Sequence, residues 1–147
     1  MFALIYASHP AIRFTDDDLH ALAVQSSEKN GRLQVTGYLS FNRERTTIFQ
    51  YLEGPQPAVL ELMAAITADE RHRIANVIRL DDDNDNDGPR LFPTWHMRYL
   101  NASYLRTMQM EDVLEVALLT MCEKTFDRAE IIATVQRLVR HIAQRAA

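Results

Sequence analysis

Hydrophobic and polar positions divide the first hundred residues into short, alternating segments. Phe2 to Ser8 is an apolar run stopped by Pro10, which reads as a buried first strand. Thr15, followed by Asp16, Asp17 and Asp18, carries the N-cap and first-turn chemistry of a helix. Leu19, Leu22, Ala23 and Ser26 give that helix one inner face. Asn30-Gly31 predicts its end, at residues that tolerate a left-handed cap. Val35 to Phe41 and Thr47 to Leu52 read as two strands joined by the polar loop Asn42-Arg43-Glu44-Arg45. Gly54-Pro55 breaks the chain, and the spacing of Val59, Leu62, Met63 and Ile66 then predicts a second helix. Ile74 to Leu80 predicts a fourth strand, Asp81 to Gly88 an acidic loop, and Trp95 to Leu100 a fifth strand entered from Pro93.

This order, β-α-β-β-α-β-β, is that of an α+β, ferredoxin-like fold with two helices on one face of the sheet. The last third differs in kind. Val113, Leu114, Ala117, Leu118 and Met121 make one helical stripe; Ile131, Val135, Leu138 and Ile142 make another, after a capping box from Asp127 to Glu130. The expected organisation is a sheet domain over residues 1–100 and two C-terminal helices over 101–147. Those helices are expected to pack on the sheet or at an oligomer interface.

Composition narrows the function. The chain has 147 residues, enough for one core, and a net charge of −4 with no basic block, which argues against a nucleic-acid partner. A lone Cys122 excludes an internal disulfide and a cysteine-based zinc site, and suits a reducing cytoplasm. No apolar run approaches membrane-spanning length and no basic leader precedes the first strand, so a soluble, cytoplasmic protein is expected. Asp83-Asn84-Asp85-Asn86-Asp87-Gly88 fits the first half of a calcium-binding EF-hand loop. Its twelfth position is Thr94 where a glutamate is needed, and Pro89 and Pro93 oppose an exiting helix; a solvated connector is the better reading. No histidine pair has metal-ligand spacing, and no nucleophile elbow, Walker loop or dinucleotide fingerprint occurs. Catalysis of a classical kind is not expected.

What remains is a set of polar groups on one side of the sheet. Gln50 sits among pattern-buried neighbours, so its amide needs partners. Tyr6 lies on the strand that would neighbour it. Asn30 closes the first helix, and Asp69, Arg71 and His72 follow the second, where both border the same groove.

In order and spacing, Leu4-Ile5-Tyr6-Ala7-Ser8, Asn30 with Val35-Thr36-Gly37, and Phe49-Gln50-Tyr51-Leu52-Glu53-Gly54 resemble the BLUF family of flavin-binding blue-light sensors. The resemblance continues through Ile66, Asp69, Arg71-His72 and Phe92-Pro93-Thr94-Trp95-His96-Met97, over about residues 2 to 99. It implies FAD, or alternatively FMN, held noncovalently between the two helices. Tyr6 then matches the family's electron and proton donor, Gln50 the glutamine bridging it to the flavin, and Asn30 a ring contact. Trp95 and Met97 match the pair that relays the signal, and Asp69 and His72 stand toward the ribityl or phosphate end. A homo-oligomer and a downstream protein partner are implied as well. The chain departs from the family at Gln34, where Gly is common, at the long hairpin loop, at Phe49, one place later than the family's Phe, at His96 within Trp-x-Met, and at Ala65, where a basic residue is frequent. The last of these bears on FAD against FMN. Two other classes compete: a ligand-free oligomerising interaction module, and an acylphosphatase-like enzyme, for which the first loop offers only Arg13.

Overall fold

The computed structural model describes residues 1–44, 46–80, 89–101 and 128–146. The chain divides into two compact units, Met1–Leu100 and Asn101–Ala147. The first contains β1 (Phe2–Pro10), α1 (Asp16–Arg32), β2 (Thr36–Asn42), β3 (Thr47–Gly54), α2 (Gln56–Ala68), β4 (His72–Arg79) and β5 (Arg98–Leu100). The second contains α3 (Arg128–Ala146), on which Val135, Leu138, Val139 and Ile142 are buried at helical spacing. The acidic loop, the stripe from Val113 to Met121, Cys122 and Asp127 lie outside the described residues.

The five strands form one mixed sheet in the order β4-β1-β3-β2-β5. The first four follow the ferredoxin-like order, each antiparallel to its neighbour, and β5 adds to β2 in parallel. Side chains alternate across each strand. Leu4 and Tyr6 of β1, Leu39 of β2, and Ile48 and Leu52 of β3 point to one face, where they pack with Leu19 and Ala23 of α1 and Val59, Leu62 and Met63 of α2. Both helices therefore lie on one face of the sheet, as the pattern predicts.

Helix α1 begins with a reciprocal capping box. The Asp18 amide donates to Thr15 Oγ1 at 3.1 Å, and the Thr15 amide donates to Asp18 Oδ2 at 2.9 Å. Its end falls later than Asn30-Gly31. The helix runs to Arg32; the Gln34 amide donates to the Gly31 carbonyl and the Val35 amide to the Asn30 carbonyl, the double closure of a Schellman motif. The left-handed residue of that motif is Gln34, with φ of 57°. Asn30 is thereby kept inside the last turn, 1% exposed. The sequence does not announce this cap, because the left-handed position holds none of the usual permissive residues.

The fifth strand is also shorter than expected, starting at Arg98 and not at Trp95. A strand through Trp95 and Met97 would place both side chains on one face. Instead Trp95 stacks on Phe92, which packs against Tyr38 and Tyr51, while Met97 joins the core between sheet and helices. The segment changes faces, so it cannot keep a strand's period. Its passage is fixed at Gly37, whose amide donates to the Trp95 carbonyl at 2.7 Å. Gly37 has φ of 155°, and a Cβ there would meet the Tyr51 carbonyl at 1.8 Å. The fourth strand starts at His72, ahead of the expected Ile74.

A side chain in the left-handed conformation costs about 1 kcal/mol that glycine does not incur. Gln34→Gly is therefore expected to raise stability by about 1 kcal/mol in urea denaturation, and Gln34→Val to lower it. Equal midpoints for all three proteins would contradict the assigned cap.

Candidate functional site

The register of β1 on β3 pairs Tyr6 directly with Gln50, and both side chains point to the helical face. The Tyr6 hydroxyl donates to Gln50 Oε1 across the two strands. On its other side, Gln50 Nε2 donates to the Met97 Sδ at 3.4 Å. A thioether is a weak acceptor, so this amide is firmly held at its oxygen and loosely at its nitrogen. Gln50 is 7% exposed, and its weak donor contact is a cost unless a further acceptor is supplied.

Asn30 approaches from α1. Its Nδ2 donates to the His96 carbonyl at 3.0 Å, while its buried Oδ1 has no partner among the described residues. A buried, unmet carbonyl costs roughly 1–3 kcal/mol. Asn30 and Gln50 line the same cleft, of about 190 Å³, which also takes in Tyr6 and Met97. Leu39, Ile48, Leu62 and Ile66 give it apolar walls, and Lys29, Asp69, Arg71 and His72 bring charge and polarity to it. A flat, partly apolar ligand with both hydrogen-bond donors and acceptors along one edge meets these demands. The unpartnered Asn30 Oδ1 asks for a donor, and the weakly held Gln50 Nε2 for an acceptor. An isoalloxazine ring presents both.

Asp69 and Arg71 close the end of α2 as a fork. Arg71 Nε donates to both carboxylate oxygens, at 3.0 and 3.1 Å, and Nη2 donates to Oδ2 at 2.6 Å. These bonds from Arg71 hold the Asp69 carboxyl down at about 2. Burial, together with the charge on Asp69, pushes the Tyr6 hydroxyl well above the ordinary phenol range, so Tyr6 keeps its proton in the folded protein. His72 is engaged at both ring nitrogens: Nε2 donates to the Ile66 carbonyl at 2.6 Å, and Nδ1 pairs with Ser8 Oγ at 2.9 Å. Its ring meets that of Tyr6 edge-on, with centroids 6.2 Å apart.

Of the residues singled out in the sequence, Tyr6, Asn30, Gln50, Asp69, His72 and Met97 all line the cleft. Trp95 does not; it stacks on Phe92 at 5.1 Å, and the Arg98 guanidinium lies over its ring at 4.8 Å. Arg13 is exposed and takes no part in the cleft. Lys29 was not singled out, and Arg71 only as a neighbour of the groove. The signal for Arg71 was the Asp69-x-Arg71 spacing, which joins a carboxylate and a guanidinium across one turn. Lys29, on the exposed side of α1, gives no signal beyond its place one residue before Asn30.

A family model described as "Sensors of blue-light using FAD", BLUF, matches residues 1–98. Among solved structures, the chain is similar to the dark-state structure of BlrB, a BLUF protein, at 27% identity and a TM-score of 0.66, covering 95% of this chain and 94% of that one. It is also similar to Klebsiella pneumoniae BlrP1 with FMN and cyclic diGMP, at 32% identity and a TM-score of 0.60. That match covers 97% of this chain but only 34% of BlrP1. A bacterial light-regulated adenylyl cyclase shares the fold at 24% identity and a TM-score of 0.64, with 93% of this chain on 39% of the cyclase. No curated protein sequence matches the chain significantly.

The depressed Asp69 carboxyl has a consequence for acid stability. Its folded value, about 2, lies below the ordinary 3.8, so its contribution is complete above 3.8 and is lost as pH falls toward 2. Asp69→Asn is expected to flatten the fall in unfolding free energy over that interval while leaving the profile at neutral pH of similar shape. An unchanged acid limb would show that the Arg71 fork adds nothing to folding.

Proposed function

The chain belongs to the BLUF family of blue-light sensors, and from that premise we propose that it signals through a light-driven rearrangement of the Tyr6–Gln50 hydrogen bond beside a bound FAD. The observation that carries the proposal is the pairing of Tyr6 with Gln50 in a cleft where Asn30 Oδ1 has no partner among the described residues. Flavin, when bound, supplies a chromophore that absorbs blue light and becomes a strong oxidant.

The protein's own groups do the rest. Tyr6 would offer an electron and, from Oη, the proton it shares with Gln50 Oε1, and both would return to it on charge recombination. In the dark arrangement the phenol donates to the amide oxygen. Rotation of the Gln50 amide turns Nε2 toward Tyr6 Oη, which then accepts, because a phenolic hydroxyl serves in either role. The same rotation brings Oε1 to Met97, where two acceptors face one another, so the Met97 contact breaks. A buried polar network with two alternative hydrogen-bonding arrangements behaves as a bistable element, and it relaxes when no covalent bond has changed. Tyr6 remains neutral throughout the dark state, held protonated by its burial.

Asn30 Oδ1 would accept from a bound ring, and Leu39, Ile48, Leu62 and Ile66 would pack against its apolar part. Lys29 and Arg71 stand where a phosphate chain would leave the cleft, and His72, tied to Ser8 and Ile66, shapes the wall beside Tyr6. Met97 leads directly into β5, and β5 into the unit that begins at Asn101. The reading assigns output to that unit, which changes its contacts with a second copy or a downstream protein. No turnover is assigned to the chain. Among the described residues no helix is long and apolar enough to cross a membrane, and the reading places the protein in the cytoplasm.

The purified protein is expected to be yellow, with a flavin spectrum that moves slightly to the red under blue light and returns in darkness. A flavin spectrum that does not move would remove the switch and leave the binding site. A protein that stays colourless after FAD is added would favour a ligand-free interaction module. Gln50→Leu and Tyr6→Phe are each expected to retain flavin and lose the shift; a normal photocycle in either would overturn the assigned roles. Lys29→Ala is expected to weaken FAD and FMN binding roughly three- to five-fold, as for an exposed ion pair, and to leave riboflavin affinity unchanged. Equal loss for all three would place Lys29 away from the phosphates.

A further inference from the structure

Strand β3 holds the segment from Leu91 to Met97 from both faces of the sheet. On the helical face, Gln50 reaches Met97. Three residues on, and on the opposite face, Glu53 reaches the start of the same segment. Glu53 is 1% exposed, and its carboxylate is met by four donors. Oε1 accepts from the Phe92 amide at 2.7 Å and from Thr36 Oγ1 at 3.0 Å. Oε2 accepts from the Leu91 amide and from the Tyr51 hydroxyl, both at 3.0 Å. Arg90 Nη1 braces the group from outside, donating to Thr36 Oγ1 at 3.1 Å and to the Glu53 main-chain carbonyl at 3.4 Å. A buried carboxylate is stable only when its lone pairs are taken up in this way.

We infer that Glu53 is a positioning residue of the light switch: it fixes the Leu91–Phe92 end of the segment, so that a change at Gln50 is taken up between Trp95 and Met97. The inference rests on reading Gln50 as the switch. Between its two holds, the segment is tied to the rest of the sheet through the Trp95 and His96 carbonyls, which accept from the Gly37 amide and Asn30 Nδ2. With one end fixed, loss of the Met97 contact displaces the part nearest the cleft and β5. With both ends loose, the same loss would be spread over seven residues and reach β5 weakened.

The chemistry of the anchor makes it testable by a small change. Each carboxylate oxygen accepts one backbone amide, from Leu91 on one side and from Phe92 on the other. A hydroxyl can reverse its role, but a backbone amide cannot. Glu53→Gln therefore leaves an amide nitrogen facing an amide nitrogen in either orientation of its side chain, and releases one end of the hold.

The experiment compares full-length, flavin-loaded wild type and Glu53→Gln for flavin content, light-induced shift and dark recovery. The variant is expected to keep its flavin, since Glu53 lies on the face away from the cleft. Its dark recovery is expected to slow roughly five-fold, the kinetic equivalent of about one hydrogen bond, because Met97 must find its place beside Gln50 from a looser segment. A recovery that is unchanged or faster in a folded, flavin-loaded variant would overturn the anchor. If the variant does not fold, amide hydrogen exchange of wild type decides the matter. The Leu91 and Phe92 amides are expected to keep equal protection in darkness and light, while amides from Trp95 to Arg98 exchange faster in light. Loss of protection at Leu91 and Phe92 in light would overturn the inference. Wild type that shows no light-induced shift at all would refute the photoreceptor reading itself, whatever the variant does.

Discussion

The register of β1 on β3 is the constraint on which the site depends. It sets Tyr6 opposite Gln50, and it sets both on the face that the helices cover. A slip of one residue would turn every side chain of β1 to the other face and leave Gln50 without its phenol. The register is strongly held. β1 lies between β3 and β4, and Phe2, Leu4 and Tyr6 are each buried in the core shared with α1 and α2. The hydrogen bond at the site is thus an outcome of how an apolar strand aligns in a two-layer fold, and the tyrosine and glutamine add chemistry to a geometry already fixed.

Around that pair the polar groups are unequally satisfied, and the inequality has direction. Tyr6 and the Gln50 oxygen are well matched, whereas among the described residues the Gln50 nitrogen meets the sulfur of Met97 and the Asn30 oxygen has no partner. Apolar walls make such gaps more expensive than they would be in water. They are tolerable when a ligand supplies what is missing, and they define its hydrogen-bonding edge. Asp69 is bound by Arg71, and burial, reinforced by the negative charge of Asp69, keeps the phenol neutral.

Much of this was legible in the sequence, and the exceptions have physical causes. The apolar run of β1, the Thr15 cap and the stripe of α2 are local patterns, and they lead to the observed elements. The meeting of Tyr6 and Gln50 follows once the order of elements is read as ferredoxin-like, since that order makes β1 and β3 neighbours. The cap of α1 was hidden because the left-handed position holds Gln34. The start of the last strand was misplaced because alternation says nothing about a segment that crosses from one face of the sheet to the other between Phe92 and Met97. Glu53 entered only as a member of the Phe49-to-Gly54 motif, with no sign of its role. A glutamate near a strand end reads as a solvent-facing charge, and only the fold shows two backbone amides brought to it from a distant part of the chain.

That crossing segment explains why an irregular stretch stands where a longer strand would fit. A regular strand from Trp95 would be tied to β2 along its whole length, and displacing one residue would strain every bond of the ladder. From Leu91 to Met97 the chain is instead held at separate points: a carboxylate, a glycine amide, an asparagine amide and a glutamine amide. Bonds of this kind open one at a time. The weakest of them, the glutamine-to-sulfur contact, is the one that touches the cleft, and the strongest, the charge-assisted pair at Glu53, lies farthest from it. An arrangement graded in this way yields first at Met97. On the proposed reading it would pass that movement to Arg98 and β5, because the other end has little freedom to absorb it.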